Sequence, residues 1–88
     1  MDLPAQQVVS RDFDADFFRL PSGIQDQIET KLDELSARLG NYPHQRLAGN
    51  ENFRLRVGHY RIVYSFNLAL NVLYLKLVGH RREVYRGI

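Results

Sequence analysis

Apolar residues recur along this chain with two different periods, and the change from one to the other divides it. From Ile24 onward they fall at Ile24, Ile28, Leu32, Leu35 and Leu39, the three-to-four step that lines one side of a helix. Asp26, Thr30 and Asp33 fall on the opposite side and Glu29 on the flank, so the helix is expected to lay its stripe on a flat apolar surface. Pro21 suits its first turn, and Gly40 predicts a left-handed stop. Before it, Phe13, Phe17 and Leu20 keep helical spacing, with Asp12 or Asp14 as the cap of a short first helix. Gln6 to Ser10, carrying Val8 and Val9, is a short strand candidate.

Gly40 to Asn52 reads as loop, punctuated by Asn41, Pro43, Gly49 and Asn50. The period then becomes two. Phe53 to Val57 alternates apolar and basic residues, and Gly58-His59 predicts a hairpin turn with glycine first, as a type II′ turn prefers. Tyr60 to Phe66 is the return strand, Asn67 to Asn71 a second turn, and Val72 to Val78 a last strand ended by Gly79. The order β-α-α-β-β-β predicts an α+β fold, an antiparallel sheet with a helical hairpin packed on one face. Alternation sends Phe53, Leu55, Val57, Ile62, Tyr64, Phe66, Leu73, Leu75 and Leu77 toward the helices. It leaves Arg54, Arg56, Arg61, Val63, Ser65, Tyr74 and Lys76 on the other face.

Length and composition narrow this further. The 88 residues are expected to form one domain, 1–88. Cysteine is absent and His44, His59 and His80 are scattered, so no thiol chemistry, metal site or organic cofactor is expected. No apolar run approaches the ~20 residues of a membrane span, and Met1-Asp2-Leu3-Pro4 lacks the pattern of a signal peptide. A cytoplasmic protein with no membrane partner is therefore expected.

Charge changes the picture more. Residues 1–44 carry a net −4 and residues 45–88 a net +6, and ten of the twelve basic residues are arginine. Arginine makes bidentate contacts with phosphate and stacks on bases. Arg54, Arg56, Arg61 and Lys76 share one sheet face, with Arg81 and Arg82 just past the strand end. Self-repulsion makes that clustering costly without an anionic partner, which points to nucleic acid or an acidic protein. The plain structural alternative for Arg61 is an ion pair with Glu51 or Glu83. For Tyr60 and Tyr64 it is core packing, for His59 a turn, and for His44 and Arg46 a loop.

Leu47-Ala48-Gly49 followed by Phe53-Arg54-Leu55-Arg56-Val57-Gly58-His59-Tyr60-Arg61-Ile62-Val63-Tyr64 resembles the central hairpin of the RelE/ParE toxin superfamily. Val78-Gly79-His80-Arg81-Arg82-Glu83-Val84-Tyr85 is similar to the family's last strand and its exit. The resemblance implies a type II toxin neutralised by a cognate antitoxin in a hetero-oligomeric complex. In the RelE branch such a toxin cuts messenger RNA in the ribosomal A site, among ribosomal RNA. In the ParE branch the same fold inhibits DNA gyrase without RNA chemistry. A third possibility is an inactive homologue that only binds antitoxin or co-represses an operator.

By the RelE pattern, Arg61 would stabilise the transition state, Arg81 would assist the leaving group, and Tyr85 would stack on or orient a base. Arg54 and Arg56 occupy the strand positions where the best-known pattern has lysines. Arginine is a poor proton acceptor at neutral pH, so these two are expected to clamp the substrate phosphate. His80, beside Arg81, is the candidate base. With Ile88 as the last residue, the C-terminal helix that some relatives carry is not expected.

Overall fold

The computed structural model describes residues 3–87; Met1, Asp2 and Ile88, and with them the expectations about the two chain ends, lie outside it. The elements are β1 (Gln6–Val9), α1 (Arg11–Phe17), α2 (Ser22–Ala37), β2 (Gln45–Arg46), β3 (Phe53–Val57), β4 (Tyr60–Asn67), β5 (Val72–His80) and a closing 3-10 turn (Val84–Gly87). The five strands lie in the order β1-β5-β4-β3-β2. The α+β class holds, but the sheet is mixed: β1 runs parallel to β5, and every other pair is antiparallel. Among the described residues no helix is long and apolar enough to cross a membrane.

The helices follow the predicted periods but end differently. Ser10, not Asp12 or Asp14, caps α1: its hydroxyl oxygen accepts from the Phe13 N–H at 3.0 Å and its O–H donates to the Lys76 carbonyl at 2.7 Å. One side chain thus starts the helix and ties it to β5, while the two aspartates sit in the first turn, where their charge favours the helix dipole. In α2, Ile28, Leu32 and Leu35 are buried and Ile24 partly so. The helix stops at Ala37, and Leu39 is buried after it. Gly40 is not left-handed; among the described residues the positive-φ positions are Gly49, Gly58 and Asn71. Gly58 has φ +59° and His59 does not share it, as a type II′ hairpin requires.

Strand β5 departs from simple alternation. Val63 faces Leu77 but Tyr64 faces Leu75, so Lys76 is an extra residue, a bulge. Side-chain parity reverses beyond it. Val78 rather than Leu77 enters the core, and the strand runs through Gly79 to His80 instead of stopping at Gly79. Val63 does face away from the helices, yet it is only 1% exposed, between Arg54 and Leu77 in the register.

The segment read as loop is the other departure. It contains the two-residue strand β2, with the Arg46 guanidinium 5.3 Å from the centre of the Phe53 ring. His44 is not a free loop residue: its Nε2 lies 2.8 Å from the Leu39 carbonyl and its Nδ1 2.7 Å from the Tyr64 hydroxyl. A carbonyl only accepts, so in the neutral ring Nε2 carries the proton and Nδ1 accepts from Tyr64. The ring also stacks on Phe66 at 4.2 Å. Tyr64 is fully buried, and burial together with neighbouring Tyr42 holds its hydroxyl well above the usual tyrosine range.

Two predictions rest on this clamp. Tyr64→Phe should cost about 1–2 kcal/mol, and His44→Ala, which orphans a buried hydroxyl and opens space, about 2–4 kcal/mol. Denaturant unfolding at neutral pH checks the order, and a wild-type midpoint for His44→Ala would refute the clamp. The pH dependence has a definite sign. The folded chain keeps Tyr64 neutral, whereas the unfolded chain ionises it near pH ~10, so its stabilisation is complete below that pH and lost above it. Tyr64→Phe should therefore flatten the fall in unfolding midpoint between about pH 9 and about pH 11.

Candidate nucleic-acid interface

The helices cover one face of the sheet, and the alternation of β3 and β4 delivers arginines to the other. Arg54 and Arg56 are exposed on β3, and Arg61 is half-buried on β4 directly opposite Arg56. Like charges facing each other across a hairpin repel. No carboxylate relieves them: the ion pairs among the described residues are Lys31–Glu34 and Arg38–Glu34, both on the α2 side. The alternative pairing of Arg61 with Glu51 or Glu83 is therefore not formed. Arg61 instead folds back on its own turn, its Nη1 donating to the Gly58 carbonyl at 2.8 Å and the Tyr60 carbonyl at 2.9 Å. Two carbonyls fix the guanidinium in place without neutralising it, and its remaining N–H groups stay available.

The end of β5 brings the exit segment to the same turn. The Arg81 backbone N–H donates to the His59 carbonyl at 2.8 Å, next to the carbonyl that holds Arg61. Gly79 lies opposite Arg61 and carries no side chain; a Cβ there would sit 3.5 Å from Val84. That is an ordinary contact distance, so the closing turn packs on the sheet at Gly79, with Val84 buried. Tyr85 follows, half-buried, its hydroxyl enclosed and without a hydrogen-bond partner. Lys76 is engaged elsewhere: its Nζ donates to the Asn52 side-chain oxygen at 2.7 Å, spanning β4. Arg82 is exposed beside Arg81.

His80 does not join this group. The bulge at Lys76 turns it to the helix-covered face, where it pairs with Tyr60, its ring 5.9 Å away edge-on. Its Nδ1 accepts the Arg82 N–H at 3.3 Å, so the neutral ring holds its proton on Nε2. It borders a separate groove with Asp12, Asp16 and Arg19. The unbroken alternation that would have put His80 beside Arg61 is what the extra residue removes.

Arg54, Arg56 and Arg61 converge on a cavity of about 400 Å³ whose remaining wall is Tyr42, Pro43, Gln45 and Leu55. Three guanidinium groups around one hollow suit a phosphate. Tyr42, Pro43 and Gln45 escaped the sequence reading because their placement depends on β2 and the His44 clamp; an aromatic next to proline in a loop was the only signal. Among the described residues no cluster of histidine and carboxylate side chains could hold a metal ion.

A family model described as the ParE toxin of the type II toxin–antitoxin system parDE matches residues 8–85. No curated protein sequence matches the chain at a significant level. Among solved structures, the toxin–antitoxin complex RelBE2 of Mycobacterium tuberculosis is similar at TM-score 0.75 and 20% identity, covering 94% of this chain and 98% of that one. The isolated RelE toxin of E. coli is similar at TM-score 0.75 and 17% identity, covering 86% and 83%. The RelB–RelE complex of Methanococcus jannaschii is similar at TM-score 0.72 and 22% identity, covering 92% and 98%. At these identities the likeness speaks for the fold. The family match covers nearly the whole chain, including the arginine hairpin and the exit from the last strand, and so the chain belongs to the ParE toxin family of type II toxin–antitoxin systems, within the RelE/ParE superfamily.

Proposed function

We propose that this toxin is an endoribonuclease that cuts messenger RNA in the ribosomal A site, in the cytoplasm, and is held inactive by a cognate antitoxin in a hetero-oligomer. The observation that carries the reading is the cavity where Arg54, Arg56 and Arg61 meet without a carboxylate among the described residues. An uncompensated cluster of that kind stores repulsion that a phosphodiester relieves.

In the proposed reaction the 2′-oxygen attacks phosphorus and gives its proton to solvent water, and the bond to the 5′-oxygen breaks as that oxygen takes up a proton from water. The products are a 2′,3′-cyclic phosphate and a 5′-hydroxyl. Arg54 and Arg56 clamp the phosphate. Arg61, prepositioned by the Gly58 and Tyr60 carbonyls, meets the charge that grows on the phosphoryl oxygens. Arg81, anchored at the same turn, offsets charge on the departing oxygen, and Tyr85 orients a base. Tyr85 has its hydroxyl turned inward, so it is the half-exposed ring that is offered to a base.

The proposed antitoxin partner has support in the fold's neighbours, several of which are toxin–antitoxin complexes. An acidic antitoxin segment fits the same basic face. Two observations favour a second reading, the arginine face as a docking surface on a protein such as gyrase, and the first is that the family model matched over residues 8–85 is that of the ParE toxin. The second is that, with His80 on the other side, the strand positions of this face carry no histidine or carboxylate to take the 2′-proton.

Inducible expression of wild type, Arg61→Ala and Arg81→Ala, with primer extension on a translated reporter, separates the readings. Codon-phased cuts should appear in wild type and fall by about a hundredfold or more in Arg61→Ala. Growth arrest with intact reporter would transfer the function to protein docking, and no arrest would mark an inactive homologue. Tyr85→Phe deletes an unpaired buried hydroxyl, so it should leave stability unchanged or raise it by about 1 kcal/mol. If Tyr85 acts through its ring, Tyr85→Phe keeps cutting and Tyr85→Ala does not; a Tyr85→Phe protein that cuts no better than Tyr85→Ala would assign the role to the hydroxyl.

A further inference from the structure

The rest of the arginine cavity's lining has its own chemistry. Tyr42 supplies an aromatic ring and Gln45 an amide, and both come from the segment between α2 and β3. We propose that Tyr42 and Gln45 receive and read a nucleobase of single-stranded RNA whose phosphate is held by Arg54, Arg56 and Arg61; the inference rests on the RNA-cleaving reading above.

Register gives the first argument. Gln45 pairs with Arg54, so the two side chains leave the same face of the sheet as direct neighbours. A phosphate gripped by Arg54 therefore brings its nucleotide next to an exposed amide, which offers two donors and an acceptor to a base edge. Rigidity gives the second. The His44 N–H donates to the Tyr42 carbonyl at 2.8 Å, a tight three-residue turn, and the His44 ring is fixed at both nitrogens. The Arg38 guanidinium lies 5.7 Å from the Tyr42 ring centre and is paired with Glu34 at 3.7 Å. Tyr42, which lines the cavity, is thus held in place by Arg38 and by the His44 ring 5.6 Å away, a preorganised position. Size gives the third: about 400 Å³ admits one nucleotide and little more. Single-stranded RNA is generally recognised by an aromatic surface plus polar groups on the base edge, beside basic groups on the phosphate.

The distribution of cuts over codons in the translated reporter tests this, because a base-reading residue changes where the toxin cuts and a phosphate-binding residue changes how much. Tyr42→Leu and Gln45→Ala should reduce the ratio of preferred to disfavoured cuts by about five- to a hundredfold, the range expected for losing one base contact. Tyr42→Phe, which keeps the ring, should retain the wild-type ratio. Arg61→Ala should lower all cuts together. Tyr42 is partly in the core, so thermal melts accompany the series, and exposed Gln45 provides a variant that leaves the core untouched. Wild-type ratios in both Gln45→Ala and a folded Tyr42→Leu would overturn the base wall and leave the nuclease reading standing. An uncut reporter with wild-type toxin would overturn both.

Discussion

Strand β5 carries one residue more than β4 between Leu75 and Leu77, and side chains alternate with a period of two, so this insertion turns over everything after it. Val78 is sent into the core, where it faces Ile62. Gly79 falls on the open face, where Val84 of the closing turn packs against it. His80 swings to the helix side, away from the arginines. The bulge also connects to the start of α1, since the Lys76 carbonyl accepts the Ser10 hydroxyl that caps that helix. The core contact of Val78, the exit segment and the exclusion of His80 from the arginine face all depend on the same shift in register.

On the open face the governing term is uncompensated charge. Arg56 and Arg61 stand opposite each other on paired strands, an arrangement that works against the hairpin. The fold tolerates it because Arg61 is spread over two carbonyls of its own turn and the opposite face of the same strands buries Leu55, Val57, Ile62 and Tyr64. Each buried core aliphatic contributes about 1.5–3 kcal/mol, more than a solvated like-charge contact costs. The hairpin is thus held by one face, which frees the other to carry charge for a polyanion.

The His44–Tyr64 clamp joins these two faces. It satisfies a hydroxyl at the centre of the core and, through the same ring, fixes the chain that carries Tyr42, Pro43 and Gln45 to the rim of the arginine cavity. Stability and site geometry are coupled there, so a lesion at His44 reaches the cavity without touching it.

The local periods of the sequence determined the α2 stripe, the β3–β4 hairpin with its glycine-first turn, and the delivery of Arg54, Arg56 and Arg61 to one face. Each depends only on residues within a few positions of one another. The residues of the family motif were legible for the same reason, being grouped around one hairpin and one strand end. The parallel pairing of β1, the bulge at Lys76, the position of His80 and the role of His44 were decided by tertiary structure. A strand's own sequence does not say which neighbour it pairs with, where one residue is left over, or which distant hydroxyl a loop histidine meets. The arginines could be placed by counting along a strand, whereas the cavity they share with Tyr42 and Gln45 exists only once β2 has docked on β3.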